Sequence, residues 1–362
     1  MKYFIKTFGC QQNESDSQRI SSILEKNKLK ETNNIYQADI VIINACSVRQ
    51  SAIDRVLGLK PKILKIKKEK PVKAILTGCI LEQDKNKFKE YFDLIISIKD
   101  ISHLPQIIKG KEYKKTNESY FSIPLKTKGK IVALIPIMTG CNNYCTYCVV
   151  PYTRGKEVSR KPKEIIKEIK KEIKKGAKEI WLLGQNVNSY KYNFPKLLNQ
   201  TSKIPGNFWI RFTSPHPKDF TEELIKAMAE SKKITKYLNL PLQSGDDKIL
   251  KKMNRPYTIK KYKDLVKKIR KKIPDIAIST DIIVGFPGET KEQFNKTARA
   301  LKEIKYDMAY ISQYSSRKGT AASKMLDTVS KKEKKKRDKA LTEIIKKTAL
   351  EKNKKYIGTI QK

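Results

Sequence analysis

Apolar residues in the first part of the chain fall in short continuous runs separated by charged stretches. Residues 3–8 are β-rich, and Ile20, Ile23 and Leu24 give helical spacing across 14–29. Residues 38–44 form an unbroken apolar run of the kind buried in parallel sheets, followed by a helix through Val56 and Leu57. The runs 72–77 and 94–98 repeat the strand pattern. Near-continuous apolar strands alternating with helices predict a doubly wound parallel sheet, an N-terminal domain over 1–115.

Residues 101–128 are polar and irregular and read as a linker with a short strand. The alternation then restarts. Strands are expected at 131–138, 179–183, 208–213, 236–240, 276–284 and 307–313, with helices at 163–175, 222–231, 259–272 and 291–304. Six β/α units predict a partial (β/α) barrel over 127–330, although an open six-stranded sheet would give the same string. In the last segment, 331–362, Leu341, Ile344, Ile345 and Thr348 keep helical spacing and predict a closing helix.

The longest nearly apolar run, 131–138, is far short of the roughly 20 residues a membrane span needs. No signal-peptide pattern opens the chain. A cytoplasmic location without a membrane partner is therefore expected, where cysteines serve metals or catalysis more often than disulfides. The formal charge of +42 is compatible with a polyanionic partner. Lysine, isoleucine and asparagine crowd the whole sequence, however, so genome composition and solvated helix faces explain the charge equally well. It supports a nucleic-acid partner without establishing one.

Six cysteines change the picture more. Cys10, Cys46 and Cys79 lie in TFGC, INAC and LTGC, each after a predicted strand. Loops at the carboxyl ends of parallel strands share one sheet edge, so these thiols can converge there. The alternative is three buried small apolar residues, which does not explain their common position. Cys141, Cys145 and Cys148 form C-x3-C-x2-C in the single loop TGCNNYCTYC. Structural zinc would need a fourth thiol or imidazole, and the only histidines are His103 and His216. Three thiolates on a four-iron cluster leave one iron open to a small molecule, so three and three point to two reactive iron–sulfur centres.

Cys141, Cys145, Tyr147 and Cys148 match the radical S-adenosylmethionine (SAM) signature. The run GCNNYCTYCVVPYTRG resembles tRNA methylthiotransferases of the MiaB type, as do TFGCQQNESDS, NACSVR, LLGQNVNSY, RFTSPHP, TDIIVGFPGET and YSSRKGTAA in the same order. The resemblance covers nearly the whole chain. It implies two [4Fe–4S] clusters, an auxiliary one on Cys10, Cys46 and Cys79 and a radical-generating one on Cys141, Cys145 and Cys148. It further implies that SAM is cleaved to a 5′-deoxyadenosyl radical, which removes hydrogen from adenine C2. A sulfur held on the auxiliary cluster, methylated by a second SAM, then takes the hydrogen's place. That carbon has neither a leaving group nor an acidic hydrogen, so no side-chain general base is required. Gly184, Gln185 and Asn186 follow the second barrel strand, where related enzymes contact SAM; an ordinary strand-to-helix turn is the alternative. Tyr147, Gln243 and Asp281 are further candidate SAM contacts, each equally readable as core or as a structural hydrogen-bond partner. Arg154 and Arg160 in YTRGKEVSR can meet phosphate or carboxylate, or be surface, and His216 between two prolines reads as structural.

The implied partner is the anticodon loop of tRNA, where a base is splayed at less cost than in a duplex. An electron donor such as a flavodoxin or ferredoxin is implied as well; the sulfur donor stays open, and a monomer is expected. Two departures from the family pattern are Asn239, where many relatives have His, and SGDD at 244–247. Members usually continue into a TRAM β-barrel. Here YIGTIQK resembles its opening, so that module is expected to be missing or truncated. Sister enzymes act on threonylcarbamoyl-adenosine in tRNA or on a ribosomal-protein aspartate; VVPYTRG and LLGQNVNSY favour isopentenyl-adenosine. A metal-bearing RNA-binding protein is the alternative outside enzymes.

Overall fold

A computed structural model describes residues 1–46, 50–112, 120–126 and 131–360. The SVR of NACSVR, parts of the linker with its expected short strand, and the last two residues of YIGTIQK lie outside them. The chain divides into two units, 1–142 with 149–184 and 143–148 with 185–362. The division runs through the cysteine loop, leaving Cys141 in the first unit and Cys145 and Cys148 in the second.

In the first unit, β1 (Lys2–Phe8), α1 (Gln11–Lys26), β2 (Lys30–Glu31), β3 (Ile40–Cys46), α2 (Gln50–Leu57), α3 (Lys60–Glu69), β4 (Lys73–Cys79), β5 (Leu94–Ile95) and α4 (Leu104–Ile108) form the expected doubly wound part. Its five strands are all parallel, in the order β2-β1-β3-β4-β5. β3 is buried along its whole length, which explains its unbroken apolar run. Val41, Ile43 and Leu76 pack on one face with Ile53, Val56, Ile63 and Ile66 of α2 and α3. Tyr3, Ile42 and Ile75 pack on the other with Ile20 and Leu24 of α1 and Leu104 of α4. The expected strand 94–98 shrinks to two residues because Ser97 caps a 3-10 turn, accepting the Lys99 N–H at 3.3 Å. The polar pair β2 had no apolar signal to announce it.

The remaining elements of this unit are β6 (Val132–Pro136), β7 (Met138–Thr139), α5 (Val150–Arg154), β8 (Val158–Ser159), α6 (Pro162–Lys174) and β9 (Glu179–Leu183). β6 and β9 pair in parallel, while β7 and β8 pair antiparallel beside Cys141.

The second unit carries β10 (Trp209–Phe212), β11 (Tyr237–Asn239), β12 (Ala277–Val284) and β13 (Met308–Gln313), and the helices α7 (Phe194–Ser202), α8 (Glu222–Glu230), α9 (Asp247–Lys252), α10 (Ile259–Lys272), α11 (Lys291–Ile304) and α12 (Lys331–Asn353). β11, β12 and β13 are parallel neighbours. Across the two units, β6, β9, β10, β11, β12 and β13 are the six strands expected of the β/α series. The closing helix α12 is tied down by buried charge as well as by Leu341: Arg337 Nη1 donates to Glu289 Oε2 at 2.8 Å and Lys334 Nζ to Asp327 Oδ2 at 2.6 Å. Of the described helices, none is long and apolar enough to cross a membrane.

The helices of the first unit meet the sheet in two different ways. α2 and α3 bury aliphatic side chains, but the amino-terminal half of α1 buries Gln12, Asn13, Ser15, Asp16, Ser17, Gln18 and Arg19. Polar groups taken out of water must be paired. Asn13 and Asn44 meet at 3.0 Å, Asn44 also donates to Ser17 Oγ at 2.9 Å, and Ser15 Oγ donates to the Leu134 carbonyl at 2.9 Å.

Close backbone approach sets the strand ends. Gly78, one residue before Cys79, has φ +110, and a Cβ there would lie 2.1 Å from the Ala45 carbonyl of β3. Gly78→Ala should therefore lower stability by about 1–3 kcal/mol or more in chemical denaturation. Gly110→Ala, at φ +68 with nothing within 4 Å of the added methyl, should cost less. Equal losses at the two positions would refute the steric account.

Candidate metal centres

Parallel pairing brings the first cysteine triad together. Ala45 of β3 stands opposite Phe8 of β1 and Gly78 of β4, and Cys46 stands directly opposite Cys79. Cys10, two residues beyond the end of β1, is the residue that opens α1. In the strand order found here, β1 and β3 flank the switch point where open α/β sheets bind ligands at their carboxyl edge. The Cys79 thiol is pulled down to about 6, first by a hydrogen bond with Cys46 and, against its own burial, by the Arg154 guanidinium. Cys10 reaches solvent, yet protein crowds its thiol; that desolvation, with repulsion from Cys79 next, pushes its pKa up. Three thiols close enough to perturb one another, one already favouring thiolate, suit a centre that binds three thiolates.

A buried charge network stands against this triad. Arg154 Nε donates to Cys79 Sγ at 3.0 Å and its Nη2 donates to Asp16 Oδ2 at 2.6 Å. The other Asp16 oxygen accepts from the Tyr120 hydroxyl and, at 3.3 Å, from Gln12 Nε2. Burial, and next the Asp16 carboxylate, push the Tyr120 phenol well above its ordinary value. Of the two alternatives for Arg154 and Arg160, both find carboxylates: Arg160 pairs with Glu168 and lies over the Phe121 ring.

The second set is held in two ways. Cys141 is buried, its N–H donating to the Gly155 carbonyl at 3.1 Å. Gly140 before it has φ +82, and a Cβ would lie 2.1 Å from the Lys156 carbonyl. Cys145 and Cys148 share a turn closed by a 2.9 Å bond from the Cys148 N–H to the Cys145 carbonyl. The turn hangs on the end of α9 through Thr146, whose N–H and hydroxyl donate to the Met253 and Lys252 carbonyls at 3.1 and 2.8 Å. Tyr147 packs against Ile249, Met253 and Phe286. Arg255 is buried beside the turn, donating to Tyr257 OH at 2.9 Å and to the Pro241 carbonyl at 3.0 Å, with Nη1 3.7 Å from Cys145 Sγ. Among the described residues, no three of His, Cys, Asp and Glu stand close enough to share one metal ion. Thiolates that bind separate irons of a cluster need not.

The candidate SAM contacts divide. Gln243 and Asp281 are neighbours, the Gln243 N–H donating to the Asp281 carbonyl at 2.8 Å, and Gln243 holds a left-handed φ of +72. Asn186 is buried with Nδ2 on Asp219 Oδ2 at 3.0 Å, while its Oδ1 has no partner. Gly184 directly follows β9, and Gln185 follows it in the chain. Asn239 donates to Ser279 Oγ at 3.2 Å, and in SGDD Asp246 caps α9 through the Ile249 N–H at 3.1 Å. Both departures thus serve local structure. Sequence reasoning missed Asp16, Tyr120 and Arg255. One signal existed: in a chain crowded with lysine, the buried cations among the described residues are five arginines and one lysine.

Comparison with known proteins gives a consistent result. The Radical SAM superfamily profile matches residues 135–301, and that of the Uncharacterized protein family UPF0004 matches residues 2–98. A tRNA-2-methylthio-N(6)-dimethylallyladenosine synthase of Clostridium botulinum (strain Okra / Type B1) is 43% identical, covering 99% of this chain and 85% of its own. That of Thermoanaerobacter sp. (strain X514) is 42% identical over 99% of this chain and 80% of its own; that of Endomicrobium trichonymphae is 41% identical over 100% and 88%. Among solved structures, the radical SAM methyltransferase TsrM from Kitasatospora setae, with cobalamin and a [4Fe-4S] cluster bound, aligns with TM-score 0.66 at 14% identity. It covers 89% of this chain and 77% of its own. At that identity the likeness concerns the fold, an α/β architecture with parallel sheets.

His216 sits buried with Nδ1 accepting the Lys218 N–H at 3.2 Å and its ring 5.8 Å from Tyr257. Burial first, then Arg255 and Lys218, lower its pKa to about 2. An unfolded histidine titrates near ~6.5, so below that pH the unfolded chain takes up a proton that the folded chain refuses. The contribution of His216 is intact above ~6.5 and is lost as pH falls toward 2, by about 1.4 kcal/mol per pH unit. His216→Asn should flatten the loss of stability between pH 6.5 and 5 in urea titrations; an unchanged slope would contradict this.

Proposed function

The chain belongs to the family of tRNA-2-methylthio-N(6)-dimethylallyladenosine synthases, which are radical SAM enzymes, and on that premise we propose that it methylthiolates C2 of N6-isopentenyladenosine beside the anticodon of tRNA. The observation that carries the reading is the Cys46–Cys79 register with Cys10 beside it. It makes a three-thiolate set that is distinct in sequence from the C-x3-C-x2-C loop. We take 1–115 as the auxiliary-cluster domain, 127–330 as the radical SAM domain and 331–362 as the segment that carries its closing helix.

When bound, two [4Fe–4S] clusters and SAM supply the one-electron chemistry that removes hydrogen from C2 and the sulfur and methyl that replace it. Cys10, Cys46 and Cys79 would hold the auxiliary cluster, and Cys141, Cys145 and Cys148 the other, each set leaving one iron without a protein ligand. The depressed Cys79 thiol supports the first assignment, because only a thiolate binds iron. Support for the SAM contacts is unequal. Asn186 offers a buried oxygen without a partner and Tyr147 a face fixed by its packing, whereas Gln243 offers a rigid turn against Asp281. The substrate base has to leave the stack of its loop, and lysine-rich helix faces such as those of α6 and α10 can meet the backbone phosphates in a salt-sensitive way. An electron donor of the flavodoxin or ferredoxin kind completes the reading.

Mass spectrometry of tRNA nucleosides with and without the gene tests it. Loss of 2-methylthio-N6-isopentenyladenosine with accumulation of its unthiolated precursor is expected; unchanged tRNA with an altered ribosomal protein would overturn it. The two cysteine sets should separate in vitro. Alanine at any of the six positions should reduce thiolation to background, but only Cys141→Ala, Cys145→Ala or Cys148→Ala should also abolish cleavage of SAM to 5′-deoxyadenosine. Cleavage lost equally with Cys79→Ala would contradict the division of roles.

A further inference from the structure

We propose that Arg154 is a positioning residue of the auxiliary centre: its guanidinium, clamped by Asp16, donates a charged hydrogen bond to the Cys79 sulfur and thereby raises the reduction potential of the cluster bound there. The inference rests on the reading above that Cys10, Cys46 and Cys79 hold a cluster.

The geometry is unusual for a salt bridge. A guanidinium facing a carboxylate ordinarily presents two parallel N–H groups to its two oxygens. Here one Nη2–H meets Asp16 Oδ2 at 2.6 Å, and the Nε–H is turned to Cys79 Sγ at 3.0 Å. Asp16 cannot swing to take both, because its other oxygen is filled by Tyr120 and Gln12. The clamp is itself fixed, Gln12 Nε2 donating to Tyr120 OH at 3.1 Å while the Arg19 guanidinium lies 5.3 Å from the Tyr120 ring. Both charges are buried, Asp16 at 0% and Arg154 at 4% exposure. A desolvated pair of this kind often stabilises a fold no better than apolar residues of the same volume would. Folding alone therefore gives little reason to keep it.

A reason exists at the sulfur. Potentials of iron–sulfur clusters follow net charge, burial and hydrogen bonds to the sulfur atoms. Reduction adds a negative charge, and an N–H from a permanent cation stabilises the reduced form more than the oxidised one. Arginine suits this role because it stays protonated under all working conditions and can serve two acceptors with one planar group. Lysine carries its three N–H donors on one atom and cannot reproduce the two separated donors that the planar fork places on Asp16 and Cys79.

The test uses the full chain with Cys141→Ala, Cys145→Ala and Cys148→Ala, so that only the auxiliary cluster is loaded. Its midpoint potential is followed by paramagnetic resonance during redox titration. Arg154→Met, which removes a positive charge and the N–H, should shift the midpoint downward. Asp16→Asn, which removes a negative charge and leaves the guanidinium, should shift it upward, and Arg154→Lys should not restore the parent value. Opposite shifts are the signature of charge, which a merely structural role would not give. Midpoints that stay put, or that move in the same direction in both variants, overturn the inference. If Arg154→Met fails to load iron, the sign of the Asp16→Asn shift decides. If the parent triple variant itself takes up no cluster (about four irons per chain), the assignment of Cys10, Cys46 and Cys79 has failed, and this inference with it.

Discussion

A carboxylate and a guanidinium removed from water together must find every partner inside the protein. Asp16 and Arg154 do so at the carboxyl edge of the first sheet, and the elements around them supply those partners. α1 brings Asp16, Gln12 and Asn13 to the sheet on one side; α5 ends on Arg154; Tyr120 closes the remaining oxygen. A helix packed through its polar residues can be placed in few ways, because each donor demands a particular acceptor. An aliphatic face tolerates sliding; this one does not. The rigidity falls where three thiols converge.

The strand ends obey a second constraint. Glycine precedes Cys10, Cys79 and Cys141, and at Gly78 and Gly140 the neighbouring carbonyl occupies the place of a Cβ. The backbone can pass that close only without a side chain, so the residue before Cys79 and before Cys141 is glycine, while Cys79 stays in the ladder opposite Cys46 and the Cys141 amide is anchored on the Gly155 carbonyl. Cys46 follows an alanine instead, and it and Cys79 are each the last residue of their strand, paired in register. In the second unit the anchoring is different: Thr146 and Tyr147 tie the turn to α9, and Arg255 stands near Cys145 much as Arg154 stands at Cys79. Each unit thus sets one buried arginine against a cysteine sulfur, from unrelated sequence contexts.

Periodicity made the fold legible. The apolar runs at β1, β3, β4 and the six later strands, and the helical spacing of α1, α6, α8, α10, α11 and α12, are driven by burial of one face or both, a signal written directly in the order of residues. Among the elements it did not announce, β2 is held by backbone pairing rather than burial, and the expected strand 94–98 is cut short at β5 by a serine cap. The cysteines were legible for a different reason: their residue type is rare here and their places after strands repeat.

What the sequence by itself determined is therefore the alternation of elements, the two cysteine sets and, through motif resemblance, the family. Tertiary structure alone decided the partners of the buried charges. Asp16, Tyr120 and Arg154 are separated by more than a hundred positions in part, and Arg255 by a similar span from Cys145. No periodic pattern links such residues, since each is one polar position among many and its meaning is set by which others the fold brings within hydrogen-bond reach. Composition left one trace of them, the arginines kept in a lysine-rich chain, because a planar fork holds its donors on separate atoms in a fixed geometry whereas an ammonium on a flexible stem carries all of them on one.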